Sequence, residues 1–471
     1  MELYSNLLYF LLFAVVAAGI FGLAPKKYKS LVLLCINIIF YSVCAGWYVV
    51  FMIGTGFWSY YCAQRIGNIQ EDKRKKKWLT LGIVPLVLLL CFFKYWTPAQ
   101  SIIGEMINQA NSFNVLKIIL PLGMSYYILK SISYMIDVYK HKLERNSNLW
   151  DYLAYVSFFG QIVSGPIQRF GQWEQELHRE KPIKTWQNGF YLILLGLFMK
   201  LVIANRLADF VNVTFASPET ANGLTLWLCF FLYAVYIYCD FAGYSYIAVG
   251  VTNFMGIDCI DNFNRPYFSK DIREFWNRWH ISLSSWLRDY IYIPLGGNRK
   301  GPVRRVINVL ITFLVCGVWH GSTMSFVVWG GYHGVVNALT KKKPKGEEDS
   351  RFVGAVKTIW TFILVSIGWV FFASPTLGDA VEFFNGMLTR MTININTMSE
   401  TLLAFKANNT SFAFLLTALI FILIFLLKEA NDVYKFIPSK KSFSFIWQVF
   451  LLSSVLLFGV FGTTSFIYAG F

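Results

Sequence analysis

The chain has 471 residues, of which 56% are hydrophobic and only 14% are charged, against roughly 25% charged residues in ordinary globular proteins. Its formal net charge is +16 and its mean hydropathy is +0.49. A water-soluble fold could not bury so much apolar surface, so the composition excludes a soluble enzyme and predicts an integral membrane protein. The basic residues form short runs between apolar stretches, which argues against nucleic-acid binding and is typical of cytoplasmic loops.

Apolar segments recur along the whole chain. Since a spanning helix needs about 20 apolar residues, they predict an all-α, polytopic fold with about 11 transmembrane helices. Re-entrant or short helices would surround a central cavity or funnel, and a single membrane-embedded domain would cover residues 1–471. The clearest candidate segments are 6–24, 30–45, 48–65, 78–96, 115–138, 186–204, 223–252, 353–373, 410–427 and 446–464.

A helical hairpin is predicted from two shorter apolar runs, 306–319 and 324–340, which flank His320. Basic residues at Arg305 and Lys341 place both outer ends of the hairpin in the cytoplasm. A run of about 14 residues reaches only ~21 Å, less than the ~30 Å of a hydrocarbon core. We therefore expect the tip of the hairpin, with His320, to lie inside the membrane.

A second re-entrant segment is predicted at 151–167, where Gly165 and Pro166 would break the helix. Non-helical backbone at membrane depth is tolerated only when protein covers it or when it lines a cavity. The two re-entrant segments thus predict a cavity or funnel that opens to the cytoplasm. The stretch 256–305 is amphipathic and mixed in charge, so we expect helices lying at the cytoplasmic interface.

Three histidines lie in or near apolar segments. His320 is the first candidate for chemistry, because an ionisable group at membrane depth is costly and functional by default. The alternative is a structural imidazole that bonds to a neighbouring carbonyl. His280 is either a second catalytic or orienting residue or a structural residue at the interface, and His333 is interpreted as structural or cavity-lining.

Asp240 follows a long apolar run, and a lone carboxylate there needs a partner. Lys200 is one candidate, and a structural pairing competes with a catalytic role. The glycine-rich, basic stretch 294–301 is either a cytoplasmic turn or a cradle for coenzyme phosphates. The eight cysteines show no CxxC spacing, so no metal site is predicted.

Several motifs together resemble one family. NFNRPY at 262–267, EFWNRWHISLSSWLRDYIYIPLGGNRKG at 274–301 and GVWHG at 317–321 resemble the membrane-bound O-acyltransferases, most of all the alginate O-acetyltransferase-like branch. Upstream motifs at 119–140 and 155–170 fit the same group, so the core motifs cover about 119–334. One departure is Tyr246, which stands where that family usually has an acidic residue.

The resemblance implies roles for particular residues. His320 matches the catalytic histidine of the family, and His280 matches its second prominent histidine. Further residues in or near these motifs become candidates for substrate binding or for lining the cavity: Asp240, Trp319, Asn264, Arg265, Asn277, Arg278, Ser282, Trp286 and Asn298.

The resemblance also implies a function. An acyl group, in this branch an acetyl group, would pass from a cytosolic thioester donor, acetyl-coenzyme A, across the cytoplasmic (inner) cell membrane. There it would O-acetylate a cell-surface polysaccharide. The donor is a substrate, so no permanently bound cofactor is expected. Because the outer loops are short, an extracytoplasmic acyltransferase partner protein is expected to hold the glycan. The alternatives are D-alanyl transfer to teichoic acid, within the same superfamily, and a non-catalytic transporter or flippase.

Overall fold

Every regular element that the structure describes is a helix, which confirms the all-α prediction. The structure is a computed structural model. It describes residues 7–106, 118–143, 148–162, 165–179, 184–341, 349–406, 412–434 and 441–461.

The first three helices of the chain follow the predicted apolar segments 6–24, 30–45 and 48–65 closely, whereas the fourth is longer than the predicted 78–96 and the fifth begins nine residues after the predicted residue 115. Gly46 ends the second of them with a φ of +59°, a backbone conformation that favours glycine over other residues. The helices of this part are α1 (Leu7–Leu23), α2 (Lys29–Ala45), α3 (Val49–Asn68), α4 (Asp72–Met106), α5 (Met124–Tyr139), α6 (Leu149–Val156) and α7 (Phe170–His178).

The central part combines long helices with a group of short ones. A π-helical segment, Phe198–Ala204, connects the helices Lys184–Leu197 and Asn205–Ala216 without a break. As expected, residues 256–300 contain only short helices. The elements are α8 (Lys184–Leu197), α9 (Asn205–Ala216), α10 (Gly223–Phe254), α11 (Ile272–Arg278), α12 (Ile281–Leu287), α13 (Gly301–His320) and α14 (Met324–Leu339).

The last part contains the helix Arg351–Ala373 and, after it, two further helices that overlap the predicted segments 410–427 and 446–464. The elements are α15 (Arg351–Ala373), α16 (Leu377–Thr389), α17 (Ile395–Lys406), α18 (Phe412–Tyr434) and α19 (Lys441–Phe458).

Within the described ranges, six helical stretches are long and apolar enough to cross a membrane, so the chain is a multi-pass membrane protein. The predicted number of about 11 crossings is not confirmed. Two shorter apolar helices, Leu7–Leu23 and Ser444–Phe458, fall below that length. The six stretches are Lys26–Asn68, Asp72–Gln100, Trp186–Ala216, Gly223–Phe254, Gly301–His320 and Arg351–Ala373.

The described residues form two compact units. The first contains residues 7–190 and 248–260, and the second contains residues 191–247 and 261–461. In the first unit, aromatic rings such as Tyr134 and Tyr152 stack in the core at a centroid distance of 4.1 Å. The second unit holds the His320 hairpin. The prediction of a single domain stays a prediction.

The predicted break at Gly165 and Pro166 is wrong in position, because α6 already ends at Val156. The cause is a buried side chain of α2. The Asn37 amide donates to the carbonyl of Ala154 at 3.0 Å, and its oxygen accepts from the backbone N–H of Phe159 at 3.1 Å. Asn37 thus satisfies backbone groups that a longer helix would otherwise pair internally. Residues 163–164 of the predicted segment lie outside the described residues.

The predicted hairpin is confirmed, with α13 ending at His320 and α14 beginning at Met324. The two helices approach closely, since a side chain at Gly317 would collide with the carbonyl of Phe326. However, α13 begins at Gly301 and has 20 residues, which gives a length of about 30 Å. The depth of His320 in the membrane therefore does not follow from helix length and stays a prediction.

Candidate functional site

An elongated cavity of about 780 Å³ lies in the second unit, among α11, α12, α13 and α14. One wall is a single face of α13, formed by Arg305, Val309, Thr312 and Cys316. Their spacing of four, three and four residues keeps them on one side of a helix. The rise from the first to the last is about 16 Å, so the cavity is deep as well as open.

His320 continues the same face of α13 one helical turn beyond Cys316. The histidine is only 3% exposed. Its ring packs against Trp319, Trp329 and Phe372 at centroid distances of 4.9, 5.1 and 5.4 Å. The described cavity wall ends one turn before this imidazole, and the aromatic rings shield the imidazole from water.

The exposed end of the cavity is a cationic mouth, lined by Arg273, Arg288, Arg305 and Lys341. Of the described residues that line the cavity, none is acidic. Arg288 bonds to its neighbour Asp289 at 2.9 Å. Burial and the charge of Arg305 lower the pKa of Arg273 from its usual value. Two guanidinium groups that repel each other in this way favour an anionic ligand.

Two of the predicted site residues lie in the cavity wall. Asn277 belongs to α11, and Asn298 belongs to the glycine-rich stretch 294–301. That stretch is a series of turns in which Gly296 and Gly297 have positive φ, as the turn interpretation predicted. The amide of Asn308 donates to the carbonyl of Gly297 at 2.9 Å. The turn therefore contributes the polar side chain of Asn298 to the cavity wall.

His280 lies beside the cavity and not in the described part of its wall. It is 1% exposed, and it joins α11 to α12 in a left-handed conformation with a φ of +42°. Its Nδ1 lies 3.4 Å from Oδ1 of Asn262, an oxygen that also accepts the N–H of Ser282 at 3.3 Å. Burial lowers the pKa of His280 to about 3, so the imidazole is neutral. The adjacent residues Ile281 and Ser284 do line the cavity.

The other predicted residues do not line the described cavity. Arg278 pairs with Glu274 at 2.6 Å, and Arg265 pairs with Asp432 at 2.9 Å. Trp319 contacts His320 edge to face. The remaining three are also outside the described lining, since Asn264 is exposed and Ser282 and Trp286 are buried on α12.

Asp240 forms the predicted ion pair with Lys200. The two atoms Oδ1 and Nζ are 2.5 Å apart, and Asp240 is fully buried. A buried carboxylate is stable in this position only with such a partner. The ion pair connects α10 to the π-helical segment, which gives both Asp240 and Lys200 a structural role.

Most of the residues that line the cavity were not among the predicted site residues. A simple signal was available for α13. Steps of three or four residues backward from His320 lead to Cys316, Thr312, Val309 and Arg305. Arg273 and Lys341 carried no such signal, because they come from α11 and from the end of α14.

Comparisons with known proteins agree with this architecture. The model of the membrane-bound O-acyltransferase family matches residues 143–341. A protein of Pseudomonas putida named "probable alginate O-acetylase AlgI" is 35% identical over 393 residues, covering 82% of this chain and 80% of that protein. The peptidoglycan O-acetyltransferase of Helicobacter pylori is 29% identical over 449 residues, covering 87% and 85%. The teichoic acid D-alanyltransferase of Bacillus subtilis is 30% identical over 269 residues, covering 54% and 68%.

Proposed function

Because the chain belongs to the membrane-bound O-acyltransferase family, we propose that it passes an acetyl group from cytosolic acetyl-coenzyme A across the cytoplasmic membrane to a cell-surface polysaccharide. The chain is an acyltransferase by family, which favours catalysis over the transporter alternative. The names of two relatives that cover most of this chain specify alginate and peptidoglycan, and both polymers are glycans, which supports a glycan acceptor.

The observation that carries the donor assignment is the shape and charge of the cavity. Its mouth presents Arg273, Arg305 and Lys341, which suit the phosphates of a coenzyme. From there one face of α13 leads inward for about 16 Å to Cys316, one turn before His320. A donor with an anionic head and a long, thin arm that ends in a thioester has this form.

We propose that His320 acts as a general base. The acceptor hydroxyl oxygen attacks the carbonyl carbon of the thioester while Nε2 or Nδ1 of His320 takes the hydroxyl proton. The carbon–sulfur bond then breaks, and the leaving thiolate takes that proton from the imidazolium. A route in which His320 itself carries the acetyl group stays open.

We propose that a separate extracytoplasmic acyltransferase completes the reaction on the polymer. Between α9 and α10 only six residues, 217–222 with the short helix Pro218–Thr220 among them, separate the helices, and the described residues 374–406 hold α16 and α17 as their helices. Neither segment is large enough to enclose a polysaccharide. Robust acetylation of a glycan by this chain alone would remove the need for a partner.

Replacement of His320 tests the chemistry. We expect His320→Asn to reduce acetate on envelope glycans to background, measured by mass spectrometry of the glycans released from cells that carry each variant. His141→Asn is the matched control, because His141 is exposed and belongs to the first unit, and asparagine tolerates its left-handed φ of +55°; it should keep wild-type acetylation.

The same measurement separates the remaining possibilities. Wild-type acetylation by a well-expressed His320→Asn protein would contradict the proposed role of this histidine. Ester-linked alanine in place of acetate would support the D-alanyl alternative.

A further inference from the structure

Two aromatic side chains narrow the inner part of the cavity. Trp276 of α11 and Phe313 of α13 both line it, and their ring centroids are 5.2 Å apart in an edge-to-face arrangement. Trp276 is only 8% exposed. Since Phe313 lies between Val309 and Cys316 on α13, this pair stands beside the route from the cationic mouth to His320.

The pair is held in place from behind by a second layer of rings. Trp276 packs against His333 at 5.1 Å and against Trp329 at 5.8 Å. Trp329 in turn contacts His320 at 5.1 Å. These rings form one continuous stack from the cavity wall to the catalytic candidate.

The second layer has no room to move back. His333 is fully buried, and a side chain at Gly368 of α15 would collide with its imidazole. Interiors packed at this density transmit a change in one side chain to its neighbours instead of absorbing it. A bulky group beside His320 therefore cannot push Trp276 and Phe313 aside.

We propose that Trp276 and Phe313 set the longest acyl group that the enzyme accepts and restrict the donor to short chains such as acetyl. This inference rests on the proposed function, because it concerns the acyl end of the same donor. The two ends of the cavity then have different tasks: the cationic mouth binds the anionic head of the donor, and the aromatic wall excludes long acyl tails.

The experiment uses inside-out membrane vesicles from cells that make the acetylated glycan, so that the acceptor and any partner protein are present together with the full-length protein. The vesicles are supplied with acetyl-, butyryl- or hexanoyl-coenzyme A. Free coenzyme A is measured, and the release from vesicles carrying His320→Asn is subtracted. The variants are Phe313→Ala and the milder Trp276→Phe. The matched control is Leu339→Ala, which removes an apolar side chain from the cavity at its exposed end, where Leu339 is 75% exposed.

We expect Phe313→Ala to raise the ratio of hexanoyl to acetyl turnover at least about tenfold, the scale on which apolar pockets discriminate methylene groups. Trp276→Phe should raise it less, and Leu339→Ala should leave it unchanged. If Phe313→Ala loses turnover with every donor, binding of ethyl and hexyl thioether analogues of coenzyme A decides. The hexyl analogue must then gain affinity relative to the ethyl analogue.

Two results would overturn the inference in distinguishable ways. An active wild type together with unchanged chain-length ratios in both variants contradicts the role of the aromatic wall alone. A wild type that releases no coenzyme A from acetyl-coenzyme A contradicts the proposed donor and, with it, this inference.

Discussion

Cationic side chains have opposite surroundings in the core of the first unit and in the cavity of the second unit. In the first unit, Lys130 is 1% exposed. It donates to the Tyr155 carbonyl at 2.9 Å and to Oε1 of Gln161 at 2.8 Å. Gln161 passes the network on to Gln168 at 3.0 Å. In the cavity, Arg273 and Arg305 face each other with no acidic residue in the described lining.

The difference separates a structural network from a binding site. A buried polar network that is well hydrogen-bonded fixes one packing of the core. Cations that face one another across an open cavity keep their capacity to bind an anion from outside. Substitutions in the two regions should therefore affect different quantities, stability in one and substrate binding or turnover in the other.

The largest effect is expected from filling the inner end of the cavity. Cys316→Phe places a ring one turn before His320, and displacement of the reacting group by even ~1 Å can cost about 100-fold in rate. We expect coenzyme A release from acetyl-coenzyme A to fall by at least that factor. Cys91→Phe is the control, because Cys91 is exposed on α4. Retained turnover in Cys316→Phe would show that the donor does not use this route.

Removal of the buried Lys130 amine tests the structural network of the first unit and should lower stability without lowering turnover. Lys130→Ala leaves the Tyr155 carbonyl and the Gln161 oxygen without their donor, which costs about 2 kcal/mol of stability. We expect a lower Tm of the purified protein in detergent, with unchanged turnover per folded molecule. The exposed Lys77→Ala serves as the control. A Lys130→Ala protein that is stable but inactive would place Lys130 in the catalytic machinery.

The smallest effect is expected at the cationic mouth. Arg273→Gln removes one of several charges, so KM for acetyl-coenzyme A should rise about tenfold while kcat changes little. Since exposed charges are screened by salt, the difference from wild type should shrink as ionic strength increases. Arg299→Gln, an exposed neighbour outside the described lining, should behave as wild type. Equal changes in both variants would indicate a general surface attraction instead of a binding site.

Periodicity and composition were sufficient for the helices and for the hairpin. The long apolar segments became α1 to α5, α8, α10, α15, α18 and α19, whereas α9 formed where no apolar segment was predicted. The break at His320 appeared where the WHG sequence predicted it. Asp240 forms an ion pair with Lys200, which was the predicted candidate for its partner. These outcomes follow from local chemistry, since a helix must bury an apolar face and a buried charge must be paired.

Other features depended on residues distant in the chain. The end of α6 is set by Asn37, which lies about 120 residues earlier. The guanidinium groups at the mouth and the aromatic wall come from α11 and α13, and no spacing within one segment predicts that they meet. Arg265 and Arg278 were predicted to bind substrate or to line the cavity. In the structure they instead form ion pairs with Asp432 and Glu274.

The sequence by itself determined that this is an integral membrane protein, that it is helical, and that a histidine in the WHG motif ends a helix. Only the tertiary structure decided which side chains surround the route toward that histidine, how the cations gather at its outer end, and which rings close its inner end. Hydrophobic periodicity is a property of one helix and can be read along the chain. A cavity is the space left between several helices, and its lining depends on how they pack against one another.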